Sequence, residues 1–268
     1  MNERSKRTAA YFDEYGDREW ERYDDGRATP ASLEVHLHYL NRFVSAGDNV
    51  LDAGAGPGRF TLELARIGAT VTVVDVSATQ LESNRSRIAA AGLDDRVSEW
   101  TIADITDLSR FADETFDAVV CYGGPLSYVV DRRQEALAEL VRVTRPDGYV
   151  VVSVMSLVGA LTHYLDVALD LVRRDGSDPM EEIVRTGFLP EKPDYGHLDM
   201  HLFRWRELEA LLARHGEVVA AAAAGLLKPS GPVEPELQPV LTRLELDLGA
   251  EPGAIDGGEH MLAVLRKT

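Results

Sequence analysis

From Asn49 onward short apolar runs alternate with amphipathic ones, and no other feature restricts the possible folds of this chain so strongly. "NVLDAG" reads as a buried strand, "GRFTLELARIG" as a helix stopped at Gly68, "TVTVVDVS" as a second strand, and "SATQLESNRSRIAAAGL" as a helix stopped at Gly92. "VSEWTIAD" and "FDAVVCYGG" follow as the third and fourth strands. "RQEALAELVRVTRPDG" is a helix closed by a Pro-Asp-Gly turn, and "YVVVSVMS" is the fifth strand. Strands that alternate with helices predict a parallel sheet covered on both faces.

The flanks depart from this rhythm. Residues 1–47 read as helical, with aromatics at 11, 12, 15, 20 and 23 and a second helix that starts at a Thr-Pro step and ends at Gly47. After Ser156 the alternation lapses into the helix "LVGALTHYLDVALDLVRRDG" and the Pro- and Gly-punctuated "SDPMEEIVRTGFLPEKPDYGHLDM". It resumes with the helix "RWRELEALLARHG", the strand "EVVAAAAAGLL", a loop and helix to about residue 250, and the closing strand "HMLAVLRKT". The expected organisation is a helical cover over 1–47 and one domain over 48–268, with an insertion at about 157–200.

Composition removes several classes of function. The formal charge of −17 over 268 residues disfavours nucleic acid, whose binding depends on basic side chains that displace counterions. No apolar run reaches the roughly 20 residues of a membrane span, and the N-terminus has no apolar segment behind its basic residues, so neither membrane nor secretion is expected. The single cysteine, Cys121, excludes an intramolecular disulfide and a cysteine-clustered metal site. These points together predict a cytoplasmic protein with no metal.

The segment "VLDAGAGPGRF", residues 50–60, carries the chemistry. A strand, glycine turn and helix place a ligand at the carboxyl edge of a sheet. The dinucleotide pattern G-x-G-x-x-G fails, because Arg59 stands where the third glycine belongs. A diphosphate would also sit poorly beside Asp52. That carboxylate suits a ligand with a cationic amine and no phosphate, such as S-adenosylmethionine.

With its D-x-G-x-G-x-G core, this segment resembles the first motif of class I S-adenosylmethionine-dependent methyltransferases of the small-molecule type, strongly over residues 48–155 and more loosely over 196–268. The resemblance implies a Rossmann-like, seven-stranded, mostly parallel sheet with helices on both faces and an antiparallel last strand. It implies S-adenosyl-L-methionine held by Asp52, Gly54 and Gly56 at its amino-acid end. Asp75, at the end of the second strand, takes the ribose hydroxyls, and Asp104, after the third, meets the adenine amino group. Val76, Gln80 and Ile105 lie beside them, Cys121 lines the pocket through its backbone, and Tyr11 and Arg18 reach it from the cover.

The acceptor would lie over the fourth and fifth strands, beneath the N-terminal helices and the insertion. Tyr11, Tyr15, Trp20, Tyr164 and Tyr195 from these covers, with Tyr122 and Tyr128 from the strand-four loop, are candidate walls or helix-packing residues. Arg18 and Arg22 can reach a carboxylate or simply face solvent. His36, His38, His163, His197 and His201 fall in or beside the covers; His201 first and His163 second are the candidates for a catalytic base, against a purely structural role. The expected partner is a small-molecule methyl acceptor, on a monomer or homodimer. Protein and nucleic-acid methylation, a nicotinamide-dependent oxidoreductase and a non-catalytic cofactor-binding subunit are the alternatives. "CYGGPLSY" lacks the Asn/Asp-Pro-Pro-aromatic motif of base methylators.

Overall fold

The structure, a computed structural model, describes residues 1–23, 29–191, 197–231 and 233–268. The chain begins with α1 (Glu3–Tyr15), α2 (Arg18–Glu21) and α3 (Pro30–Phe43). β1 (Asn49–Ala53), α4 (Arg59–Ile67), β2 (Thr70–Asp75), α5 (Ala78–Ala90) and β3 (Val97–Ile102) alternate, and β4 (Phe116–Cys121) follows β3 with no helix between. After α6 (Pro125–Tyr128) and α7 (Arg133–Val143) comes β5 (Thr144–Met155). The insertion holds α8 (Leu157–His163), α9 (Leu165–Asp175), α10 (Asp178–Thr186) and a ribbon of β6 (Phe188–Leu189) and β7 (Met200–His201). α11 (Trp205–Leu212), β8 (Gly216–Ala224), α12 (Gln238–Gly249) and β9 (His260–Lys267) complete the fold.

The main sheet runs β3-β2-β1-β4-β5-β9-β8. β1 to β5 pair in parallel, and β9 runs antiparallel to both β5 and β8. This is the expected seven-stranded Rossmann-like sheet. Successive residues of one strand feed opposite faces. In β4, Val119 and Cys121 pack with Leu137 and Leu140 of α7, whereas Ala118 and Val120 pack on the face that holds α3, α4 and α5. Both faces are dry, which explains why the strands read as unbroken apolar runs.

Three expectations change in detail. α3 is not part of a cover, because its Val35, Tyr39 and Leu40 are buried in the core against the sheet. Only α1 and α2 overlie the ligand edge. The Pro-Asp-Gly stretch does not precede β5 but bulges within it: Thr144 pairs with Phe116 and Tyr149 with Ala118, with Asp147 at φ 59° in the gap. The insertion's polar stretch contains a helix, α10, which starts with Asp178 and Pro179 and ends at Gly187 in the left-handed conformation.

Candidate active site

Helix caps fix the edge where the strands end. Ser77 accepts the Gln80 N–H to start α5, placing Asp75 and Val76 at the mouth of the β2–α5 turn. Between β1 and α4, Gly54, Gly56 and Gly58 all have positive φ, at 73°, 52° and 97°. A side chain at Gly54 would collide with the Pro125 ring, whereas a Cβ at Gly56 meets nothing within 4 Å and would project into open space.

The turn is not an anion cradle. The Gly54 and Ala55 N–H groups both donate to the Val74 carbonyl, at 2.8 and 3.1 Å, and the Gly56 N–H donates to Asp75 Oδ2 at 2.8 Å. Its donors are spent within the protein, which suits a ligand without phosphate.

A cleft opens over this edge, lined by Gly54–Pro57, Asp75, Val76, Gln80, Ala103–Thr106, Tyr122, Gly123, Pro125 and Tyr128. Of the expected cofactor residues, Gly54, Gly56, Asp75, Val76, Gln80, Asp104 and Ile105 line it. Asp75 is pinned by the Gly56 and Ser77 N–H groups, both at 2.8 Å. Burial raises its carboxyl to about 6. Asp104 accepts from Thr106 N–H and Oγ1, at 2.9 and 2.8 Å, and from the Ser5 hydroxyl of α1.

Asp52 is elsewhere. It is 1% exposed and absent from the cleft lining, and it accepts a 2.6 Å hydrogen bond from Thr61 Oγ1. Thr61 in turn accepts from Asn84, which accepts from Trp100 Nε1, so the carboxylate anchors the glycine turn from behind rather than meeting an amine directly. Burial raises its carboxyl to about 7, and the nearby Asp75 charge adds to the rise. Sequence reasoning missed Thr61 and Asn84, because both meet this carboxylate's surroundings only through tertiary packing.

Other expectations are corrected. The Cys121 side chain lies in the core and burial pushes its thiol up; the lining begins one residue later, at Tyr122. Tyr11 stacks on Tyr15, and Arg18 bonds the carbonyls of Tyr15 and Glu14; the lining instead takes Arg4, Ser5, Thr8 and Phe12 of α1 and its N-cap Asn2. Trp20 carries the Arg59 guanidinium at 3.7 Å, outside the lining. Arg22 does line the cleft, with Glu19 and Tyr23. Tyr164 lies away from it, its hydroxyl on Glu259, and Tyr195 falls outside the described residues.

Neither proposed base reaches the cleft. His201 is 4% exposed, bonded through Nε2 to Glu207 at 2.7 Å and set edge-on against Phe203, so it ties the β6–β7 ribbon to α11. His163 sits at the end of α8, and burial lowers its pKa. No group of metal-ligating side chains occurs among the described residues, nor any helix long and apolar enough to cross a membrane.

The covers are strapped down. Asp13 of α1 accepts from Ser77 Oγ at 2.6 Å and Thr79 N–H at 3.1 Å, at the start of α5. Gln80 Nε2 donates to the Phe12 and Gly16 carbonyls, both at 2.9 Å. Arg4 and Arg7 grip Asp199 of the insertion.

Residues 50–148 match the family described as "Methyltransferase domain". "Methyltransferase GfsG" of Streptomyces halstedii is 40% identical over 130 residues, 48% of this chain but only 44% of that protein. A demethylmenaquinone methyltransferase of Mycobacterium marinum is 35% identical over 196 residues, covering 68% of this chain and 76% of the relative. Among solved structures, the 1,6-didemethyltoxoflavin-N1-methyltransferase of Burkholderia thailandensis, bound to 1,6-didemethyltoxoflavin and S-adenosylhomocysteine, superposes with a TM-score of 0.56 at 22% identity, over 98% of this chain and 90% of that one. Sequence likeness across most of a relative and a shared fold agree with the cleft's two strand-end carboxylates: the chain belongs to the class I S-adenosylmethionine-dependent methyltransferases.

Proposed function

We propose that this chain transfers the methyl group of S-adenosylmethionine to a small molecule. One observation carries the size class: the cleft continues past Asp75 and Asp104 to an inner end walled by Glu19, Arg22, Tyr23, Phe60, Tyr122 and Tyr128, under helices bonded to the domain on both sides. A small acceptor fits such an enclosure; a polymer does not.

When bound, the cofactor supplies an electrophilic sulfonium methyl. The chain's own contribution is placement and dryness. Asp75 is held by two backbone N–H groups with its remaining lone pairs available to ribose hydroxyls, and Asp104 stands at the adenine end. Gly56 leaves the turn without a side chain where the ligand passes. α1 and α2 exclude water from the inner end. The relative named for demethylmenaquinone supports a small-molecule acceptor.

The experiment is transfer of label from S-adenosylmethionine into a lysate divided into metabolite, protein and nucleic-acid fractions. Label is expected in the metabolites. Incorporation confined to protein or RNA refutes the small-molecule assignment.

A further inference from the structure

Behind the cleft wall, outside its lining, two histidine rings meet edge to face, His36 from α3 and His260 from the first residue of β9. Their centroids are 5.9 Å apart, and the residues are 2% and 3% exposed. His260 pairs with Met155, the last residue of β5, so it stands at the ligand-binding edge of the sheet. Each ring has one nitrogen bonded and one orphaned, and the partners determine which is which.

His36 Nδ1 lies 2.8 Å from the Ser32 carbonyl, which only accepts, so Nδ1 carries the proton and Nε2 a lone pair. Arg22 lies 3.3 Å from His260 Nε2 and can only donate, so the proton of His260 is on Nδ1. On these two rings, His36 Nε2 and His260 Nδ1 are left with no hydrogen-bond partner. One is an acceptor and the other a donor. Burial keeps both rings neutral, lowering His36 to about 4 and His260 well below its ordinary value, and the Arg22 charge adds to both shifts. Buried polar atoms left unpaired are uncommon enough that each calls for a specific cause.

The surroundings connect the rings to the cleft. Phe60 and Tyr122, which line it, pack on His36 at 5.5 and 4.8 Å, and Arg22, also lining, covers His260. Arg22 follows directly on α2 and is held at 2.9 Å by Glu19 of the same helix.

We propose that His36 Nε2 and His260 Nδ1 form the acceptor subsite, which takes a flat ring bearing a hydroxyl next to a second oxygen. This rests on the methyl-transfer function proposed above and names its acceptor class. The hydroxyl donates to His36 Nε2, and the neighbouring oxygen accepts from His260 Nδ1–H. Phe60 and Tyr122 supply aromatic edges to the ring. Arg22 is a positioning residue: it selects the His260 tautomer.

The test uses the full chain with 15N-labelled histidine. S-adenosylhomocysteine is added first and its affinity measured by calorimetry. Catechol, or its dimethyl ether veratrole, is then titrated while the ring nitrogens are followed by NMR. Catechol is expected to bind at least about fivefold more tightly than veratrole and to move the signals of His36 Nε2 and His260 Nδ1. H36Q and H260N keep an acceptor and a donor near the same places and should retain the preference for catechol. H36L and H260L should lose it, with S-adenosylhomocysteine affinity unchanged. Equal binding of the two ligands, binding of neither, or shifts at other histidines alone would mean that the two nitrogens hold water or each other, and would overturn the subsite. Failure of the wild-type chain to bind S-adenosylhomocysteine overturns the methyl-transfer function itself, before any acceptor is added.

Discussion

Replacing Asp52 by asparagine should stabilise the protein at neutral pH although it changes a β1 residue just before the glycine turn. The carboxylate is fully enclosed, its hydrogen bond comes from Thr61, and its pKa rises from 3.8 to about 7. Between those values the folded chain retains a proton that the unfolded chain has released, so stability declines as pH rises through the interval. At about 1.36 kcal/mol per pH unit, the full cost above pH 7 is about 4 kcal/mol. The asparagine would keep the Thr61 hydrogen bond through its amide oxygen and carry no charge. Urea unfolding of both proteins from pH 4 to pH 8 at constant ionic strength isolates the effect. The two midpoints should nearly coincide at pH 4 and separate steadily to pH 7, with the variant higher by roughly 1–2 M for an m-value of about 2–3 kcal/mol/M. Midpoints that run parallel across the range would refute a protonation change at Asp52.

Asp75→Ala removes the acceptor facing the ribose; a charge-assisted hydrogen bond is worth about 1.5–3 kcal/mol, so calorimetry should show S-adenosylhomocysteine binding weakened at least about tenfold. Gly56→Val should abolish that binding because its side chain enters open cleft, and its positive φ should cost some melting temperature while circular dichroism still shows the fold, whereas Gly54→Val should lower the melting temperature further, since it also meets Pro125. His201→Ala should lower the melting temperature by unpinning Glu207 and leave turnover and cofactor affinity unchanged; a turnover loss that shrinks with rising pH would restore it as a base.

Much of this molecule is local, and what is local was legible. Each strand, each glycine stop and the Ser77 cap depends on residues within one or two turns of each other, so "VLDAGAGPGRF" and "VTVVDVS" specify the β1–α4 turn and the position of Asp75 without reference to the rest of the chain. Asp104 was legible from its place after the third strand, through the resemblance; of its partners Thr106 is two residues away and Ser5 comes from α1.

The inner end of the cleft was not. A histidine has the same sequence appearance whether its ring nitrogen meets a ligand or an acid, and only packing distinguishes His201, closed against Glu207, from His36 and His260. Those two lie at opposite ends of the chain and arrive side by side because β9 inserts antiparallel next to β5. Asp52 shows the same division. Its place before the turn follows from the strand, but whether its carboxylate faces ligand or interior was decided by Thr61 and Asn84, which fill the space behind it. Strand and helix positions follow from backbone and pattern, whereas the direction of a buried polar side chain follows from whichever distant partner satisfies it.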